Sequence, residues 1–167
     1  MNFLMVSALA ASVAQPYGPA TTDELVKSFD AICFRPDKPF DQIDSEAAAM
    51  GFRPAQVIPS KFNPETKAWR RGGVRLFETA GQREGWPVLP TCGVTGDVGR
   101  NWKTVVGAVS GHLDVFAFHA QPGPKESMYH LISARGIIDL DINKRDSAHV
   151  IVTLLWQVGQ PGPTKLS

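Results

Sequence analysis

The sequence predicts an α+β domain: an antiparallel sheet of about five strands with three helices packed on one face. In the first half of the chain, apolar residues recur at helical spacing, whereas from Trp69 onward they alternate with polar residues. The predicted elements follow the order helix, helix, strands, helix, strands, which lacks the regular alternation of a parallel sheet. With 167 residues, 43% of them hydrophobic and 20% charged, the chain has enough apolar material for a core.

The first helix is predicted from its cap and from its apolar face. Thr21 and Glu24 stand at the two ends of a capping box, in which each side chain bonds the backbone amide of the other residue. Pro36 prevents the helix from continuing far. The residues expected on its buried face are Leu25, Val26, Phe29, Ile32 and Cys33.

Two further helices are predicted from apolar periodicity followed by glycine. The second runs from about Phe40 to Met50 and stops at Gly51. Residues 53 to 68, rich in proline and polar side chains, are expected to form a connecting loop. The third helix covers about Asp97 to Ser110.

Strands are predicted where apolar and polar residues alternate. The segment from Trp86 to Val94 contains Pro87 and Pro90, so an irregular or edge strand is expected there. The last strand is apolar on both faces and should be central. The remaining predicted strands are Val74–Phe77, Val115–Gln121, Met128–Ser133, Ile137–Ile142 and Ala148–Val158.

The first fourteen residues, Met1–Ala14, have the length and composition of an export signal. Small residues at Ser12 and Ala14 favour cleavage after Ala14, which leaves a domain at 15–160 and a disordered tail at 161–167. The twelve-residue apolar run is too short to span a bilayer. The alternative is an apolar N-terminal helix or strand of a cytosolic protein, since no Lys or Arg precedes the run.

Cys33 and Cys92 are the two cysteines of the chain, and in an exported protein they are expected to form one disulfide. The bridge would close a loop of about sixty residues, worth roughly 4 kcal/mol in the chain-entropy model. Two alternatives stay open. One is a pair of buried free thiols, and the other is a redox pair, although redox cysteines usually occur as Cys-x-x-Cys.

Four short motifs are Phe29-x-x-x-Cys33 at a helix end, Pro36-Asp37, Ala47-Ala-Ala-Met-Gly-Phe52 and Cys92 on a strand leading into a helix. Together with the export signal, this pattern resembles small exported two-cysteine proteins of proteobacteria. The resemblance covers residues 15 to about 115. It implies export and a cystine, and it carries over no catalytic residue because that family has no assigned activity.

The charge balance excludes some partners. A formal net charge of +1 gives no strong attraction to nucleic acid or to an acidic membrane surface. The cluster of Arg70, Arg71 and Arg75 would make an anion-facing or nucleic-acid-facing patch on which Trp69 could stack, but nearby glutamates dilute it. A solvated strand face is therefore expected there.

Two histidines are the candidate metal ligands. If the hairpin is symmetric about the bond between Pro124 and Lys125, His119 and His130 lie opposite each other on one face. Zinc needs three or four protein ligands, so solvent-facing strand histidines are the simpler interpretation and a metal site at this pair is the alternative. Further ligands without supporting spacing are His112, Asp114 and His149.

Other chemical motifs are weak. The glycine-rich segment 93–99 fits neither the dinucleotide fingerprint nor the P-loop, and a strand-to-helix turn explains it. The serines Ser110, Ser127, Ser133 and Ser147 lie in no nucleophile elbow. Asp139 and Asp141 fit the solvent side of an amphipathic strand.

We therefore expect an exported module, periplasmic or secreted, that is not catalytic and binds a protein or a cell-envelope component. One alternative is an exported hydrolase or metal-binding enzyme that uses His119 and His130. A second is a small-ligand carrier with a pocket between helices and sheet. No catalytic residue, cofactor, nucleic-acid partner or transmembrane segment is predicted, and the oligomeric state is left open.

Overall fold

The computed structural model describes residues 18–37, 40–59, 65–79, 82–83, 86–87 and 90–157. The predicted export signal, its cleavage site and the predicted tail lie outside these residues, as do both predicted boundaries of the domain. Within the described residues, no helix has the length and apolar content needed to cross a membrane.

Helix α1, Thr22–Ser28, begins with the predicted capping box: the Thr21 side chain accepts from the Glu24 amide, and Glu24 accepts from the Thr21 amide. It continues as a π-helical turn, Phe29–Cys33, whose widened backbone ends at Phe34. All five residues predicted on the inner face are buried. The helical prediction is confirmed, with its last turn π rather than α.

The other two helices are also short. Helix α2 covers Ile43–Ala49 after a 3₁₀ turn, and Gly51 adopts a φ of 79°, as its predicted role as a helix stop requires. Helix α3 covers Val105–His112 and follows the 3₁₀ turn Gly99–Thr104.

Ten strands are present among the described residues, and eight of them form one sheet. The strands are β1 Arg53–Pro54, β2 Glu65–Arg71, β3 Val74–Thr79, β4 Gln82–Arg83, β5 Trp86–Pro87, β6 Thr91–Asp97, β7 Val115–Gln121, β8 Glu126–Ser133, β9 Gly136–Lys144 and β10 Val150–Gln157. In the large sheet the order is β1-β2-β3-β6-β10-β9-β8-β7, with every neighbouring pair antiparallel. Strands β4 and β5 pair separately.

The prediction of about five strands is wrong, because the sheet has eight. Strand β1 and the first part of β2, up to Ala68, lie in the stretch that was expected to be a loop. The cause is that β2 buries only Ala68 and Trp69 and carries polar side chains elsewhere, while β1 is two residues long. Neither strand has enough alternating apolar residues to be recognised from its pattern.

The prediction of an irregular or edge strand at 86–94 is also wrong for the second part of that segment. Strand β6 lies inside the sheet between β3 and β10. Pro87 belongs to the separate pair and Pro90 precedes β6, so neither proline interrupts its ladder. The central position predicted for the last strand is confirmed, since β10 pairs with both β6 and β9.

The helices pack on one face of the sheet, which we call the helix-covered face. Val94, Leu140 and Leu154 are aligned across three neighbouring strands on this face, and each is at most 1% exposed. Phe34 follows the π-helical turn and meets Trp156 edge to face, with ring centroids 5.9 Å apart. The described residues of helices and sheet thus share a hydrophobic core.

The predicted disulfide joins Cys33 to Cys92, with Cα atoms 5.3 Å apart and a sequence separation of 59. Both residues are buried, and no free cysteine is present. The bridge ties the end of the π-helical turn to β6. Burial of both sulfurs argues against a redox pair, which needs an accessible thiolate.

Replacing both cysteines, Cys33→Ala with Cys92→Ala, is expected to lower the free energy of unfolding by roughly 4 kcal/mol, because the unfolded chain regains the entropy of an open loop. Urea denaturation followed by circular dichroism measures the change. The control is wild-type protein with the bridge reduced, which should resemble the variant. Equal midpoints for the variant and the oxidised wild type would contradict the role assigned to the bridge.

Candidate functional site

The face opposite the helices is covered over only part of the sheet. Residues 55–59, the covering segment, lie on β2 and β3 beside the buried Arg75, which pairs with Glu65. Arg75 Nη2 also donates to the Gln56 carbonyl over 2.7 Å, and the Ile58 amide donates to Glu65 over 2.6 Å. The ion pair therefore holds the covering segment on the sheet.

The remaining strands, β7 to β10, leave this side of the sheet accessible, and we call it the open face. Side chains alternate across a strand, so the registered pairs define which residues share it. Met128 is 38% exposed and is the most accessible large apolar side chain on it. The open face consists of Ala117, His119, Gln121, Glu126, Met128, His130, Ile132, Ile137, Asp139, Asp141, Asn143, Ile151, Thr153, Leu155 and Gln157, of which Ile151 is buried.

A row of polar side chains crosses the open face. His119 is aligned with His130, as the hairpin symmetry predicts, and His130 is aligned with Asp139. The two imidazole rings are parallel within 11°, with centroids 6.4 Å apart. His130 Nδ1 lies 2.6 Å from Asp139 Oδ1, so the carboxylate fixes the orientation of that ring and leaves Nε2 free.

Asp141 is the second unusual group on this face. Burial, and then the neighbouring Glu126 carboxylate, raises the pKa of Asp141 to about 6. Its Oδ1 is buried without a hydrogen-bond partner among the described residues. As the sequence predicts, Asp139 and Asp141 lie on the side of β9 opposite the buried Ile138, Leu140 and Ile142, and both are half-buried there.

The other candidate ligands do not join this row. His112 Nε2 lies 3.3 Å from Asp30 on the helix side, and His149 pairs with Asp146 in the turn before β10. Hydrogen bonding to Asp146 raises the pKa of His149. Asp114 is exposed in the turn before β7, with a φ of 52°. His112, His130 and His149 thus each pair with a different aspartate, and the three pairs are not close to one another.

The described part of the chain contains no group of three or more His, Cys, Asp or Glu side chains arranged to hold a metal ion. The pair of His119 and His130 supplies two imidazoles, short of the three or four protein ligands that zinc takes. Metal binding at this pair stays a prediction.

A serine nucleophile is not placed beside the His130–Asp139 pair. Ser127 and Ser133 lie on β8, but they alternate with His130 and are buried on the helix-covered face. Thr153 does lie on the open face, where its hydroxyl donates to that of Thr95 over 2.9 Å. Among the described residues, the open face therefore lacks the geometry of a Ser-His-Asp triad.

The glycine-rich segment serves packing rather than phosphate binding. Gly93 lies inside β6, where a Cβ atom would come within 2.6 Å of both Phe77 and Leu155. At the junction with the following 3₁₀ turn, the Gly99 amide donates to the Asp97 carboxylate over 2.9 Å. The expected strand-to-helix turn begins later than predicted, since β6 extends to Asp97.

The arginine cluster is divided between the two faces. Arg75 is buried, whereas Arg71 points to the helix side, donates to the Met50 carbonyl and lies over the Phe52 ring. Trp69 is only 5% exposed and cannot stack on a ligand. Arg70 alone of the three predicted arginines is exposed, so they form no continuous basic patch.

A cleft of about 380 Å³ lies at the end of β6, lined by Pro19, Asp97, Gly99 and His149 among others. Asp97 Oδ1 accepts from the amides of Gly99 and Val150, so this oxygen holds the end of β6 against β10. The cleft is open and lies at the edge of the layers. The ligand carrier predicted from the sequence would instead need a pocket between helices and sheet.

No protein-family model, no curated protein and no solved structure matches this chain. The resemblance to small exported two-cysteine proteins of proteobacteria therefore stays a prediction. Sequence reasoning found the alignment of His119 with His130. It missed the environment of Asp141, which depends on how closely Glu126 on the next strand approaches, and no sequence pattern reports that distance.

Replacing Asp141 by asparagine is expected to stabilise the protein above neutral pH. The folded state raises the pKa of Asp141 from 3.8 to about 6, so its contribution to stability is greatest in acid and is lost as pH rises through about 6. The free energy of unfolding of Asp141→Asn, relative to that of wild type, should therefore be about 1 kcal/mol higher at pH 8 than at pH 4. This figure is reduced to allow for the partial exposure of the side chain.

Urea denaturation at the two pH values measures this difference. Asp37→Asn removes an exposed carboxylate on the helix side and serves as the matched control, for which no such gain is expected. If Asp141→Asn and wild type have the same free energy of unfolding at both pH values, folding does not raise the pKa of Asp141.

Proposed function

We propose that this protein is an exported, non-catalytic module that binds a protein partner through the open face. The observation that carries the proposal is the partial covering of the sheet. The covering segment closes the side opposite the helices over β2 and β3, and Thr95 of β6 is buried beside them, whereas β7 to β10 present a more accessible mixture of apolar, imidazole and carboxylate groups.

The composition of the open face suits a protein surface as its partner. Met128 is accessible, and Ile132, Ile137 and Leu155 are half-buried elsewhere on the same face. Methionine adapts its shape to a partner, and aliphatic side chains beside a polar row supply the mixture found at transient interfaces. The row from Asp139 to His119 adds groups that would fix the orientation of the partner.

The geometry favours binding over hydrolysis. His130 is paired with Asp139, but the serines of β8 face the opposite side of the sheet. A hydrolase at this pair would need a nucleophile within hydrogen-bond reach of the ring. Thr153 is engaged by Thr95, and no described side chain takes the nucleophile's position.

Two features support export. The Cys33–Cys92 bridge is of a kind that persists in oxidising compartments, and the chain starts with the apolar run Met1–Ala14. We place the protein in the periplasm or outside the cell. The mature chain is expected to begin at Gln15, and mass spectrometry of native protein that finds Met1 intact would contradict export by cleavage.

Binding at the open face is tested with a photo-crosslinking amino acid at Met128, in cells of the native host. A protein partner should be crosslinked from this position and identified by mass spectrometry. Val57, on the covering segment, is 40% exposed against 38% for Met128 and provides the matched control position.

The variant Met128→Glu should weaken binding of the identified partner at least about tenfold, because it places a charge in an apolar contact. Val57→Glu should leave binding unchanged. Crosslinks that are the same from both positions, or no crosslink from Met128, would contradict the assignment of the open face.

A further inference from the structure

The two edge strands of the large sheet differ in their capacity to pair with a further strand. Strand β1 is two residues long and contains Pro54, which cannot donate to a ladder, so that edge is blocked. Strand β7 is seven residues long, contains no proline and forms the other edge. A bulge between Val115 and Ala117 leaves Ala117–Gln121 as its regular part.

The β7 edge lacks the usual protection against association. Sheet edges commonly carry Lys or other charges that repel a second strand. Between Val115 and Gln121 there is no Asp, Glu, Lys or Arg, while Phe116 and Phe118 are 56% and 60% exposed. These two phenylalanines are the most exposed large apolar side chains of the described residues.

We propose that two copies of this chain pair β7 with β7 in antiparallel orientation, about a two-fold axis at His119. His119 is the midpoint of the regular part of the strand, so this axis pairs all of Ala117–Gln121. Phe118 of each copy then lies opposite Ala120 of the other, on the helix side. A large ring over a small side chain fills the contact without a clash.

The features of the edge favour a second copy over another occupant. Because no Asp, Glu, Lys or Arg lies on β7, two copies bring no like-charged pair of these residues together on the strand. Because the β1 edge is blocked, pairing through β7 uses the long free edge and stops at a dimer, not a fibre. Phe118, the more exposed of the two phenylalanines, lies within the paired segment, and Phe116 lies next to it in the bulge.

The dimer goes beyond the proposed binding function and does not rest on it. Phe118 points to the helix side, whereas the open face lies on the other side of the sheet. Pairing would join the open faces of two copies into one surface, with the row of His130 and His119 continuing into the same row of the second copy.

Sedimentation equilibrium of the disulfide-bonded mature chain tests the dimer. The interface is small, so a dissociation constant on the order of 10 µM is expected. Phe118→Asp and Ala120→Lys should each weaken the dimer at least about tenfold, because each puts a charge in the apolar contact. Both positions are on an exposed edge, and thermal unfolding of each variant checks that it remains folded.

Mixing the two variants tests the register. In the mixed dimer Asp at position 118 faces Lys at position 120 on one side, and the native Phe118–Ala120 contact is kept on the other. Association should therefore recover in the mixture, in a salt-sensitive manner. Val57→Asp, which changes an exposed apolar residue away from β7, is the control and should dimerise like wild type.

A wild-type chain that stays monomeric up to about 0.5 mM would overturn the proposal, since even weak interfaces associate at that concentration. A wild-type dimer that both edge variants leave intact would also overturn it, because the contact would then lie elsewhere. Folded variants that fail to recover in the mixture would overturn the register about His119. None of these outcomes depends on whether Met128 contacts a partner.

Discussion

The attachment of the helical layer to the sheet is the constraint on which the rest of the structure depends. Helices α1, α2 and α3 have seven, seven and eight residues, too few to be stable in isolation. The Cys33–Cys92 bridge fixes the end of the first helical segment to β6, and Phe34 packs beside it on Trp156. Arg135 adds a further link, since its guanidinium lies over Phe34 and 2.7 Å from Asp30.

One consequence is that the two sides of the sheet differ in how completely they are covered. The helix-covered face buries a continuous apolar core, whereas the opposite side is closed only where Glu65 and Arg75 hold the covering segment. A buried ion pair contributes little net stability but fixes geometry, because either partner alone would be an uncompensated buried charge. Beyond β6 no such anchor is present among the described residues, and the open face begins there.

The sequence predicted those features that depend on local chemistry. The capping box at Thr21, the inner face of the first helix, the central last strand and the disulfide follow from neighbouring residues or from two cysteines in a chain predicted to be exported. The alignment of His119 with His130 follows from hairpin symmetry alone. Except for the disulfide, a short stretch of chain contains the information needed in each case.

The features that were missed depend on partners distant in sequence. Strand β2 carries few apolar residues, and it is a strand because β3 pairs with it along its length. Likewise, the position of β6 inside the sheet is set by β3 and β10 on its two sides, against the local signal of nearby prolines. Tertiary pairing outweighs strand propensity in both cases.

The polar row on the open face connects the interior of the sheet to its free edge. Asp139, on the third strand from that edge, fixes the ring of His130, and that ring lies parallel to His119 on β7. The carboxylate thus fixes the ring of His130 on β8, and the ring of His119 at the edge lies parallel to it. The side-chain contact between β8 and β9, in addition to the backbone ladder, therefore orders part of the open face. A surface ordered in advance loses less conformational entropy when a partner binds to it, which would favour the binding role proposed for this face.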